Sequence, residues 1–105
     1  MSYQLITLGS KDEAILRTPA ERIEKVDQKI SYLASRMLSI MQFKGIGLAA
    51  PQIGVSKRLV VMDTTSYEDG MVLVLANPEI IAHSDTTVKK KEGCLSCPGI
   101  EKEVE

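Results

Sequence analysis

Histidine is nearly absent from this chain and cysteine is scarce: 105 residues carry one His and two Cys. A structural zinc site needs four ligands, and no second Cys-x-x-C accompanies the pair Cys94 and Cys97. A thioredoxin-like role for that pair would place it at a helix start in an alternating α/β pattern, which is also missing. The N-terminus lacks the basic start and apolar run of a secretory signal. No apolar stretch is long enough to span a bilayer, because Gly and Pro interrupt the best candidate, residues 45–55. Excess charge is small too. A net charge of −1 leaves no electrostatic footprint for nucleic acid or an anionic membrane, so neither is an expected partner. Internal repeats and low-complexity segments are absent. Two thiols without an export signal imply a reducing compartment, and the expected location is cytoplasmic.

What is present is an ordinary globular composition, 44% apolar and 26% charged. A chain of this length forms one domain or a piece of one, burying only about two-thirds of its unfolded surface. The basic run Lys89-Lys90-Lys91 and the acidic positions Glu101, Glu103 and Glu105 read as solvated surface.

Residues 1–26 mix short apolar pieces with turn formers and read as an arm laid over a core, with a turn before Pro19. From residue 27 to about 43 the period is helical: Ile30, Leu33, Met37, Leu38 and Met41 share one stripe. Asp27 is the expected N-cap and Gly45 the stop. That stripe carries no ligand atoms of the kind a cofactor needs and reads as core. Beyond Gly54, strands are expected at residues 59–62, 71–76, 79–82 and 86–89, with a turn at Asn77-Pro78. One long helix followed by several short strands implies an α+β fold, the helix packed on antiparallel or mixed short-stranded sheets. The chain after Pro98 reads like the start of another strand. The expectation is therefore one domain over residues 1–105, incomplete at its C-terminus.

Three groups can carry chemistry. Gly45 and Gly47 allow unusual backbone conformation and close approach of a ligand, and an extended segment there can pair with a substrate peptide. The plainer reading is a tight turn from helix to first strand. Gln52 offers an amide for a polarised carbonyl oxygen. Cys94, in the small turn-prone segment Glu92-Gly93-Cys94-Leu95-Ser96, is either a soft metal ligand or a buried structural cysteine. The lone His83, beside Ser84-Asp85, reads as a solvated hairpin residue, and nothing orients it toward Cys94 as a nucleophilic dyad.

Gly45-Ile46-Gly47-Leu48-Ala49-Ala50-Pro51-Gln52 resembles the first signature of peptide deformylases, and Glu92-Gly93-Cys94-Leu95-Ser96 resembles the second. Their order and separation, the preceding helix, Ile15-Leu16-Arg17 and Ala76-Asn77-Pro78 are similar to that family as well. The resemblance covers essentially the whole chain. It implies removal of the N-formyl group from the initiator methionine of new polypeptides, with a formyl-methionyl peptide N-terminus as partner. It also implies a ferrous ion, with zinc or nickel substituting, held by one cysteine and two histidines. By resemblance Cys94 is the metal ligand, Gln52 and the Leu95 N–H are the oxyanion donors, and Gly45, Ile46, Gly47, Glu92 and Gly93 contact substrate. Such a metal lowers the pKa of a bound water from about 15.7 toward 7.

The family's third signature, His-Glu-x-x-His, supplies two ligands and the general base from one helix, and this chain does not contain it. One thiolate does not hold a catalytic ion, so stable metal binding and catalysis by this chain alone are not expected. Three readings follow. The chain is the N-terminal portion of a deformylase, an inactive peptide-binding relative, or a fragment that self-associates or is complemented by a C-terminal piece.

Overall fold

The structure, a computed structural model, describes residues 3–42, 45–87 and 90–104. Gln28–Met41 forms the helix α1. The Asp27 carboxylate accepts the Ile30 N–H at 3.1 Å, satisfying one of the donors that a helix start leaves unpaired. Leu33, Ala34, Met37 and Met41 are buried and Ile30 and Leu38 partly so, as the spacing requires. The helix ends at Met41, where Gln42 turns extended. The Gly45 N–H then returns to the Met41 carbonyl at 3.3 Å.

Three strands, β1 (Gly47–Ala49), β2 (Leu59–Asp63) and β3 (Val72–Ala76), form an antiparallel sheet in that order. Two more, β4 (Lys90–Cys94) and β5 (Cys97–Val104), form a separate antiparallel hairpin. The α+β expectation holds, and the sheets are antiparallel. Helix α1 lies across β1 and β2, so Leu48, Leu59 and Val61 close the core with Met37 and Met41. Each such side chain contributes roughly 1.5–3 kcal/mol by leaving water. No helix among the described residues is long and apolar enough to cross a membrane.

Two strand expectations need correction. Residues 79–82 and 86–87 are irregular, while 88 and 89 lie outside the described residues. Asn77 takes a left-handed φ of 52° and turns the chain away from β3, and Pro78 has no N–H to donate. Without a partner strand, Ile80 and Ile81 stand 88% and 94% exposed. The fifth strand also begins earlier than expected, at Cys97, ahead of Pro98.

The N-terminal arm is held by backbone groups. Glu13–Arg17 forms a 3-10 turn before Pro19. Glu21 pairs in parallel with Lys57 and accepts the Arg58 N–H at 2.9 Å. The Lys57 ammonium hydrogen-bonds the Glu21 carboxylate and adds its charge, holding that carboxyl below its usual value. This pair therefore supports the fold above the unfolded glutamate pKa and loses that role as pH falls through the lowered one. One residue does more. Asn77 clamps the backbone of Ile23 from both sides, Oδ1 accepting its N–H and Nδ2 donating to its carbonyl, each at 2.8 Å.

Asn77→Ala removes both bonds and places a Cβ-bearing residue without side-chain compensation in left-handed backbone. We expect a loss of about 2–4 kcal/mol, read as a lower urea midpoint at unchanged slope.

Candidate functional site

Gln52 sits on the 3-10 turn Ala50–Ile53 that follows β1. Its Oε1 accepts the Ala49 N–H at 2.9 Å, a side chain reaching back to the residue that caps its own turn. A backbone N–H needs an acceptor, so this contact fixes which end of the amide is oxygen. The NH2 end then points the other way, donating to the Ser96 hydroxyl at 3.2 Å and the Cys94 sulfur at 3.5 Å. The Gln52 carbonyl in turn accepts the Ile6 N–H at 2.6 Å.

Cys94 and Cys97 are opposite one another at the closing end of the β4–β5 hairpin, with Leu95 and Ser96 as its two-residue turn. The Cys-x-x-C spacing is thus that of a pair closing a hairpin. Neither turn residue has left-handed backbone, so this is not one of the primed turns that match strand twist. A register shift between Gly93 and Cys94 accompanies it. The Cys94 thiol is free and exposed, which rules out the buried structural role. Ser96 is buried, and Leu95 packs against the core.

Gly45 and Gly47 work differently from the sequence expectation. Neither takes positive φ; among the described glycines Gly9 and Gly54 do. Gly45 lies against the Leu95 side chain, where the helix exit and the hairpin turn touch, and a Cβ there would meet that side chain in van der Waals contact at 3.4 Å. Gly47 lies on an edge of the sheet that pairs with no further strand among the described residues. The Asp63 N–H donates to the Ile46 carbonyl at 2.9 Å, which makes Ile46 and Asp63 a hydrogen-bonded pair. By the antiparallel alternation, Gly47 opposite Met62 is then a non-bonded pair, and its N–H and C=O point outward. Ala49 shares that outward phase, and its N–H is the one that holds Gln52. The Asp63 carboxyl is held below its usual value by the Thr65 hydroxyl and then by the Thr65 N–H.

The structure thus brings Gln52, Cys94, Leu95 and Gly45 together and places Ile46 and Gly47 on the strand beside them. Gly93 lies in β4 next to Cys94, whereas the side chain of Glu92 lies outside the described residues. His83 is exposed on an irregular segment, its Nδ1 3.0 Å from the Ser84 carbonyl. It is not in a hairpin. Among the described residues no three of His, Cys, Asp or Glu gather as a metal site. Among the described side chains Cys94 offers a soft sulfur donor with a polar amide beside it. That fits one ligand position of a thiophilic divalent ion, not a whole set. Two further residues join this network without a sequence signal of their own: Ser96, within the second motif, and Ile6, an apolar residue acting through its backbone.

A family model described as polypeptide deformylase matches residues 3–105. The chain belongs to the polypeptide deformylase family. A peptide deformylase of Prochlorococcus marinus (strain NATL1A) is 55% identical over 92 residues, 85% of this chain and 45% of its own length. One from Dictyoglomus thermophilum is 49% identical over 90 residues, covering 85% of this chain and 56% of the relative. The crystal structure of peptide deformylase from Thermotoga maritima superposes with a TM-score of 0.86 at 34% identity. It covers 99% of this chain and 67% of that one. The chain spans about half the length of the curated deformylases it matches.

Ser96→Ala leaves one Gln52 N–H without its oxygen acceptor at a buried position. We expect about 1–2 kcal/mol lower stability in chemical denaturation, with α1 unchanged by circular dichroism.

Proposed function

We propose that this chain supplies the thiolate, oxyanion and substrate-strand side of a deformylase site that releases formate from formyl-methionyl peptides in the cytoplasm. The observation that carries this reading is the Gln52 amide, oriented by Ala49 so that its NH2 stands beside Cys94. A donor already aimed at the place where negative charge develops requires no reorganisation during reaction. The Leu95 N–H, one residue from the thiol, is the second donor. The outward N–H and C=O of Gly47 pair with the substrate backbone as an added strand, which brings its formylated end toward Gln52. Cys94 is one ligand for a divalent ion, ferrous iron in this reading, with zinc or nickel able to substitute. Lewis acidity toward the formyl oxygen is what that ion supplies when bound.

The 105 residues hold no His-Glu-x-x-His, so the remaining ligands and the general base come from residues outside this sequence. The chain alone does not turn over. One apolar surface supports this division of the site. Val74 is the cross-strand partner of the buried Val61, so Val72 and Val74 lie on the core-side face of the sheet but are about half exposed, at 50% and 48%, and Ile80 and Ile81 beyond them are bare. An apolar patch of this kind marks a covered surface in the working protein. We place the complementing part of the deformylase there; pairing of two copies is the other use of the same patch.

Formate release from a formyl-methionyl peptide tests this reading. The chain alone should give none, and fusion to the part of the Prochlorococcus relative that it does not match should give metal-dependent turnover. In that fusion Gln52→Ala should lower kcat by about 10²–10³. Turnover by the chain alone would refute the division of ligands, and a folded, metal-loaded fusion without turnover would refute the activity. In sedimentation the isolated chain at low concentration should run as a monomer, and a dimer would assign the β3 patch to self-association.

A further inference from the structure

We propose that Leu8 is a positioning residue: its backbone N–H holds the hairpin turn so that Cys94 stays beside the Gln52 amide. Among the described residues the hairpin of β4 and β5 shares no ladder with the three-stranded sheet. A two-stranded hairpin is marginal by itself and takes its place from whatever grips it. Hydrogen bonds that tie it to the rest of the chain reach its turn. Gln52 donates to Cys94 and Ser96, and the Leu8 N–H donates to the Ser96 carbonyl at 3.0 Å. The arm bridges both sides of the site. Two residues before Leu8, the Ile6 N–H is bonded to the Gln52 carbonyl at 2.6 Å. Residues i and i+2 of an extended segment point the same way, so one short run of backbone spans the gap between the Gln52 turn and the Cys94 turn.

The direction of the Leu8 N–H is itself set locally. Ser10 N–H bonds the Thr7 carbonyl at 3.2 Å, and Gly9 between them has φ +86°. That is the pattern of a type II turn with Leu8 at its second position and the obligatory glycine at its third. The Ser10 hydroxyl adds a bond to the same Thr7 carbonyl at 2.8 Å. The Leu8 side chain is 48% exposed, so its backbone rather than its packing is what the hairpin uses.

Proline is favoured at the second position of a type II turn, so Leu8→Pro keeps the turn and deletes the N–H. Leu8→Ala keeps the N–H and deletes the side chain. Amide NMR of the full chain reads the difference. Leu8→Pro should lose the nuclear Overhauser contact between Gly45 and Leu95 and merge the two Gln52 side-chain NH2 resonances. It should also speed exchange of the hairpin amides roughly tenfold, while the Met37 and Met41 amides of α1 stay protected. Leu8→Ala should behave as the wild type. Unchanged signals in Leu8→Pro, or equal losses in both variants, would overturn the assignment. If Leu8→Pro also exposes α1, leucic acid at position 8 removes the same N–H while retaining the side chain, and the same outcomes decide. The importance of this contact for catalysis rests on the reading of Gln52 and Cys94 as one site. The measurement does not depend on turnover, so failure of either idea is seen separately.

Discussion

The side-chain amide of Gln52 joins segments 42 residues apart, and the candidate site exists because it is satisfied at both ends. Its oxygen is committed to Ala49 and its nitrogen to Ser96 and Cys94. A net 0.5–1.5 kcal/mol per bond is modest, but leaving the partly buried Ala49 or Ser96 contact unmade costs more than making it contributes. The same side chain that would stabilise an oxyanion is therefore also part of what places the thiol. Binding geometry and local stability depend on one network.

The scaffold around that network divides the work. Helix α1 and the three-stranded sheet form the core and fix the β1 edge, where Gly47 is left outward and bare. The hairpin that carries Cys94 is a separate unit, gripped at its turn. Asn77 performs a related task on the far side of the sheet, fastening the arm at Ile23 just as β3 ends. The arm is thus tied at Ile6, Leu8, Glu21 and Ile23, largely through main-chain groups. Its weak hydrophobic pattern goes with that mode of attachment, since backbone bonds place little demand on side-chain type.

Much of this was legible beforehand, and the parts that were not share a cause. The α1 stripe and its Asp27 cap follow from short-range spacing, and the structure has both. So do β2 and β3, whose β-branched runs are bounded by turn residues. The strand expected at 79–82 fails because Ile80 and Ile81 have strand-like composition but no neighbour to pair with; of the one expected at 86–89, residues 86 and 87 are irregular and 88 and 89 lie outside the described residues. Composition records a preference; a ladder needs a partner. Gly45 and Gly47 do not take the unusual φ that glycine permits; one lies against Leu95 and the other on the β1 edge.

Sequence by itself determined the family, the helix phase and the identity of the thiol and amide, because these reside in local spacing and in residue chemistry. It also determined that the histidine pair of that family is not among these 105 residues. Tertiary structure alone decided which end of Gln52 faces Cys94, that Ser96 is buried beneath it, and that Leu8 and Ile6 span the two turns. Each of those depends on hydrogen bonds between distant segments, many of them from backbone groups that every residue carries. A donor common to all residues leaves no mark in the letters.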